Sequence, residues 1–294
     1  MGNHPISIGR CWLACLVTLG IFGQSRVDAQ FFSDGFSLAG LDQVSRNSES
    51  SDEEDEIETD RDSFTASTKV AKVGRLIVES SYSYIDNRNV YDTHSLPELL
   101  LRYGITERAE FRFGYNYEVG GAGNPISGNV PDDLEEEAFL ESEARLFYGT
   151  KVRVSNQSAW IPESVFLLHG YTPTAGKITA TSLGVSYVFG WKFRNKAVWD
   201  SGIHYGTNIF EEDNFNTWAP STVLKIPVGE RWKVHAEYFG VMSDGRRRES
   251  VQHFFSPGIH YLISKDIEVG IRVGWGLNDQ SPNFFNNIGI GWQF

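Results

Sequence analysis

Ala109-Glu-Phe-Arg-Phe-Gly-Tyr-Asn-Tyr-Glu-Val119 alternates with a period of two. Ala109, Phe111, Phe113, Tyr115, Tyr117 and Val119 form one row, and Glu110, Arg112, Gly114, Asn116 and Glu118 form the other. That is the period of a β-strand, whose successive side chains point to opposite faces. Residues 267–277 repeat it, with Ile267, Val269, Ile271, Val273, Trp275 and Leu277 set against Glu268, Gly270, Arg272, Gly274 and Gly276. So do 140–154, where Glu141, Glu143, Arg145, Lys151 and Arg153 share a row, and 232–242, where Lys233, His235 and Glu237 do.

Outward from these, twelve such runs lie near 75–85, 95–105, 109–119, 139–155, 163–172, 178–191, 198–209, 217–227, 232–242, 253–263, 267–277 and 284–294. Most are of the length a tilted strand needs to cross a bilayer. Alternation alone does not say which row faces out, because a soluble sandwich wets its polar row and a membrane barrel turns that row inward. The connections decide. Those after the second, fourth, sixth, eighth and tenth runs are short, as in Thr106-Glu-Arg108 and Ser264-Lys-Asp266. Most of the others are longer, notably Gly120 to Glu137, with Pro173 to Lys177 a short exception. An even strand count with short turns on one rim is the pattern of an up-and-down barrel. The expected fold is therefore an all-β, transmembrane, antiparallel barrel of about twelve strands over 69–294, with a soluble secreted β fold as the alternative.

The N-terminus fits that reading. Arg10 precedes an apolar run, Cys11 to Gly23, and Val27-Asp28-Ala29 places small residues where a signal peptidase reads. This predicts a cleavable export signal over 1–29, cut before Gln30. A short anchor and a lipid-attached Cys15 fit less well. Both cysteines lie in this segment, so the exported chain has no disulfide and needs other closure, which a hydrogen-bonded barrel supplies. The net charge of −12 argues against a nucleic-acid partner. Beyond the N-terminus no apolar run is long enough for a spanning helix.

Residues 30–68 show little periodicity and carry Ser48-Glu-Ser-Ser-Asp-Glu-Glu-Asp-Glu56. Like charges this dense predict a solvated, largely disordered periplasmic segment. The run lacks the spacing and central glycine of a calcium loop.

With the apolar row on lipid, the lumen receives Glu79, Glu98, Arg102, Glu110, Arg112, Glu118, Glu141, Glu143, Arg145, Lys151, Arg153, Asp200, His204, Lys233, His235, Glu237, His260, Glu268 and Arg272. Interleaved signs predict pairing across strands, because an unpaired buried charge is costly. The same groups would form a polar constriction that sorts solutes, and Gly120–Glu137 is long enough to fold inward. Twelve strands give a lumen between filled eight-strand barrels and open general porins. His235, His260 and Glu237 allow a metal reading, but register at strand ends is loose and neither a metal nor a cofactor is expected. No local Ser-His-acid signature, phosphate loop or dinucleotide fingerprint occurs, so no catalytic residue is assigned. The last strand, with Ile288, Ile290, Trp292 and Phe294 in one row, resembles the C-terminal signal by which the barrel-assembly machinery recognises outer-membrane barrels.

Three stretches carry a family resemblance: Thr59-Asp-Arg-Asp-Ser-Phe-Thr65, Gly74-Arg-Leu-Ile-Val-Glu-Ser-Ser-Tyr-Ser-Tyr84, and His94-Ser-Leu-Pro-Glu-Leu-Leu-Leu-Arg-Tyr-Gly-Ile-Thr-Glu-Arg-Ala-Glu-Phe-Arg-Phe-Gly-Tyr115. They resemble the outer-membrane transporter family named for the meta-cleavage (MetA) pathway of phenol degradation. That family often has Arg-Pro-Asp where this chain has Arg61-Asp62-Ser63. The resemblance implies an outer-membrane barrel that passes small, often aromatic or hydrophobic, compounds, and supplies no catalytic residues. The stretch Arg61 to Thr68, just before the first strand, is positioned to enter the lumen from the periplasmic side. The functional expectation is a passive channel for small solutes. The alternatives are a closed structural or surface-interaction barrel and a barrel enzyme.

Overall fold

The computed structural model describes residues 56–61, 63–127, 136–210, 213–246 and 249–294. They form β1 (Leu76–Asp86), β2 (Thr93–Thr106), β3 (Ala109–Ala122), β4 (Glu136–Ser155), β5 (Glu163–Ala175) and β6 (Ser182–Lys192). The chain continues with β7 (Val198–Phe210), β8 (Asp213–Val228), β9 (Trp232–Asp244), β10 (Val251–Ser264), β11 (Ile267–Gly276) and β12 (Phe284–Gln293). Each strand pairs antiparallel with the next, and β12 pairs with β1 from Ile77↔Gln293 to Asp86↔Phe284, so the sheet closes with no free edge. Closure satisfies every strand's ladder, which is the condition for crossing lipid with strands.

The expected twelve strands are present, and the apolar rows face outward. Phe111 and Trp275 are each 44% exposed, while Glu110 and Arg112, one position along from Phe111, are at 0%. Aromatics collect toward both rims. Trp191–Trp199, Trp232–Tyr261 and Trp292–Phe294 pair near the short turns, and Tyr205–Trp218 and Trp275–Phe284 pair toward the other end. Two such girdles around an apolar band are the exterior of a transmembrane barrel.

Two boundaries differ from the sequence reading. Pro173 is not in a turn: β5 runs on to Ala175, and β6 begins at Ser182 rather than near 178. The β4–β5 register slips there, with Ala144 opposite Ala175 and Arg145 opposite Pro173. A proline lacks the N–H for a regular ladder and is accommodated at such an irregularity. β8 begins at Asp213 rather than near 217, so the β7–β8 connection is short as well. Long loops are therefore a feature of only part of that rim.

The segment before β1 departs from the expectation of a solvated tether over 30–68: Ile57, Thr59, Asp60, Arg61, Ser63, Phe64, Thr65, Ser67 and Thr68 are all buried. Arg61 and residues 63–68 lie inside the barrel, in keeping with the entry that their position before β1 suggests, and the buried stretch begins earlier, at Ile57. Their own side chains explain this: Ile57 and Phe64 need cover, and Asp60 and Arg61 meet opposite charges inside. Residues 30–55, with most of the acidic run, and the predicted export signal lie outside the described residues.

Candidate functional site: a lumen occupied by the chain itself

Residues 56–73 enter and leave the barrel at the short-turn rim. Entry is marked by the Ile57 amide, which donates to the Lys265 carbonyl in the β10–β11 turn at 2.8 Å. Exit is marked by a parallel bridge between Val73 and Gly104, followed by Gly74 at φ +76°, where the chain turns into β1. Two wall glycines leave room for this path. A Cβ on Gly291 would stand 2.3 Å from Thr59 Cγ2, and one on Gly104 would stand 2.0 Å from the Lys72 carbonyl oxygen.

Inside, wall carboxylates accept the backbone amides that a non-helical, non-strand segment leaves unpaired. Glu79 Oε2 accepts from Asp60 N at 2.8 Å and Arg61 N at 2.9 Å. The two oxygens of Glu237 accept from Phe64 N at 2.9 Å and Thr65 N at 2.7 Å. Glu110 Oε2 accepts from Ala71 N at 2.6 Å, and Glu268 Oε1 accepts from the Thr59 hydroxyl at 2.8 Å. Wall cations answer the segment's carbonyls: Arg102 donates to Glu58 O at 2.8 Å and Lys69 O at 3.1 Å, and Lys151 donates to Lys69 O at 2.7 Å.

The segment's own charges complete a lattice. Asp60 Oδ2 receives Lys151 Nζ at 2.8 Å and Arg112 Nη1 at 2.5 Å, while Asp60 Oδ1 accepts the Ser67 amide at 2.9 Å and so ties the two limbs of the segment together. Arg102 pairs with Glu110 at 2.9 Å and Glu79 at 3.2 Å, and Arg112 pairs with Glu110 at 2.9 Å. Arg61 donates to the Leu99 carbonyl at 2.6 Å and the Asn116 amide oxygen at 3.1 Å, with Glu98 at 3.5 Å. Ions so far from water persist only when paired and hydrogen-bonded.

On β9, β10 and β12 the inward side chains further from the short-turn rim become apolar. The Phe64 ring stacks on Phe239 with centroids 4.3 Å apart and planes 4° apart, and Phe239 stacks on Phe254 at 4.6 Å. Phe285, Ile85, Val241 and Ile126 complete this cluster. Ile126 belongs to the connection between β3 and β4, whose described part folds inward. Its carbonyl accepts Arg272 Nη2 at 2.6 Å, and Asn124 Nδ2 donates to Glu98 Oε1 at 2.7 Å. Arg272 also meets Glu237 at 3.3 Å, which joins the charged and apolar levels.

Of the residues expected in the lumen, Glu79, Glu98, Arg102, Glu110, Arg112, Glu118, Lys151, Asp200, His204, His235, Glu237, His260, Glu268 and Arg272 are buried. Glu141, Glu143, Arg145, Arg153 and Lys233 are more accessible; Arg153 and Lys233 lie near strand ends, and Glu141, Glu143 and Arg145 lie along the outer half of β4. They pair locally, as in Arg145–Glu143 at 2.7 Å, Arg153–Glu163 at 3.3 Å and Lys233–Glu268 at 3.2 Å. His235 Nδ1 lies 2.6 Å from His260 Nε2, but Glu237 turns away to the segment's amides, and no group fit to hold a metal occurs among the described residues. His204 Nδ1 meets the Ser186 hydroxyl at 2.8 Å. Asp200 is buried, with neither oxygen hydrogen-bonded among the described residues.

Sequence reasoning missed the aromatic level and the partners of Asp60. Phe239, Phe254 and Phe285 share the inward row with polar residues, such as Glu237 on β9 and Ser256 on β10. An apolar side chain in that row carries no local sign of facing inward.

A closed twelve-strand barrel with an apolar exterior, filled by the segment preceding its first strand, is a transmembrane barrel with an internal plug. Residues 59–294 match the family described as "Putative MetA-pathway of phenol degradation", and the chain belongs to that family. No curated protein matches the sequence at a significant level. Among solved structures, the fold is similar to an outer membrane channel from Pseudomonas putida F1. The TM-score is 0.56 at 11% identity, covering 81% of this chain and all of that one. Weaker likenesses include the translocator domain of the autotransporter NalP from Neisseria meningitidis (TM-score 0.48, 10% identity, 76% of this chain and 90% of that one). The KdgM porin in complex with oligogalacturonate is another (0.47, 8%, 74% and 99%).

Proposed function

We propose that this protein is an outer-membrane channel for the passive passage of small solutes, with residues 56–73 closing its lumen until they shift. The observation that carries the reading is how the segment is held. It enters and leaves by one rim, and between the backbone contacts of Ile57 and Val73 at that rim it is fixed mainly by side chains of the wall, so its inner part can move while the barrel keeps every ladder. The level formed by Phe239, Phe254 and Phe285 suits an aromatic or hydrophobic solute once Phe64 has left it. Export by a signal cut before Gln30 and insertion by the barrel-assembly machinery through the strand ending in Phe294 belong to the same reading. Residues 30–55 would lie in the periplasm.

Planar-bilayer conductance of refolded 30–294, beside the same chain lacking 56–68, tests the proposal. Stable ohmic steps from the shortened chain, larger or more frequent than those of the full chain, are expected. A shortened chain that is folded in the membrane yet silent would leave a closed structural barrel as the better reading.

A further inference from the structure

We propose that the position of the Asp60 carboxylate is a binding site for a small organic carboxylate, and that such a solute opens the channel by taking Asp60's place. This deepens the channel reading and rests on it.

The argument begins with charge. Arg102, Arg112 and Lys151 on the wall face three carboxylates, of which Glu79 and Glu110 belong to the wall and Asp60 to the segment. All six are buried. Among the described residues Asp60 brings this cluster to three cations and three anions, and its departure removes one anion from a place where uncompensated charge is expensive. Segment movement is therefore coupled to the arrival of another anion. The two arginines would stay in place, because the pairs Arg102–Glu110, Arg102–Glu79 and Arg112–Glu110 hold them to the wall, whereas Lys151, whose bonds to Asp60 and to the Lys69 carbonyl both go to the segment, would turn to the incoming anion.

The shape of the vacancy favours a carboxylate. One oxygen of Asp60 lies between a guanidinium nitrogen and an ammonium nitrogen, and the other accepts an amide of the segment. A free carboxylate reproduces the first oxygen's two charge-assisted bonds and leaves the second to water. Arg61 moves with the segment, but its guanidinium contacts Glu98 and Asn116 rather than the Asp60 position itself. The site differs from the aromatic level around Phe239, so a ring bearing a carboxyl group could use both.

Two measurements on the full refolded chain test this. In detergent, acetate should raise the thermal midpoint of Asp60→Ala more than that of the unaltered chain, with an apparent affinity about tenfold or more higher, since no internal carboxylate competes. Chloride at equal ionic strength should not. Adding Lys151→Met to Asp60→Ala should abolish the acetate effect. Equal shifts with acetate and chloride would overturn the proposal, as would acetate rescue that survives Lys151→Met. In bilayers, which need no variant, benzoate should raise the open probability of the unaltered channel, whereas the uncharged benzamide should not. If the chain lacking 56–68 conducts but benzoate and benzamide act alike on the full chain, this inference fails and the channel reading stands. If that shortened chain is silent, the channel reading itself fails.

Discussion

Asp60 and Phe64 illustrate what a single residue can and cannot disclose before the fold is known. Arg102, Glu110 and Arg112 were legible as lumenal because they alternate with a lipid-facing apolar row. Asp60 was not, because it follows a dense acidic run and precedes the first alternating strand, where the bland reading is solvent. Its burial depends on partners 42 to 91 positions away, a relation no local pattern encodes. Removing one member of a buried ion pair leaves the other uncompensated, so Asp60→Asn should destabilise the plugged state by about 3–5 kcal/mol. Thermal melting in detergent would read this, and an unchanged midpoint would mean that Asp60 contributes little. Phe64→Ala should cost a comparable ~3–5 kcal/mol, the usual range for emptying a buried aromatic site. It should also raise channel opening while the barrel's far-ultraviolet dichroism stays constant. Gly291→Val should act by another route, because its side chain would meet Thr59 and exclude the segment from outside. Protease cleavage between 56 and 73 should then become rapid, and continued protection would show that the segment can pass elsewhere.

Strands were the most legible level, because a period of two survives wherever one face meets lipid and the other does not. β3, β11 and β12 follow their expected spans within a few residues. Alternation weakens where inward side chains are also apolar: on β9 the run Glu237-Tyr-Phe-Gly-Val-Met242 reads as apolar on both faces, because Phe239 and Val241 point into the lumen. β5 was the least legible strand for a similar reason, since Val165, Leu167 and Tyr171 are buried toward the lumen beside lipid-facing Phe166 and Leu168. At the seam, the Phe294 amide donates to the Leu76 carbonyl at 2.8 Å, and the Leu76 amide donates back at 3.4 Å. Deleting Phe294 removes this reciprocal pair where the barrel closes. The yield of heat-modifiable, folded protein on cold electrophoresis should fall, and an undiminished yield would show that the seam closes without it.

The whole molecule combines an exterior suited to lipid with an interior that resembles a protein core more than a water-filled tube. Its strongest ion pairs are buried, so stability should change little as salt rises, because screening acts mainly on charges in contact with bulk water. Urea titrations at low and high sodium chloride would check this; a large loss at high salt would place the stabilising pairs at the rims instead. The plug has a further consequence for how the barrel is made. Thr59 bonds to Glu268, 209 residues onward, and Phe64 bonds to Glu237, 173 residues onward. The segment also touches β1 to β4 near the other end of the sheet. A segment that binds both ends of the sheet would, by docking first, hold the first and last hairpins together and offset part of the entropy of closing so long a loop. A chain without 56–68 should close more slowly in lipid vesicles than the full chain. Equal rates would mean that the sheet curls shut first and the segment threads in afterwards.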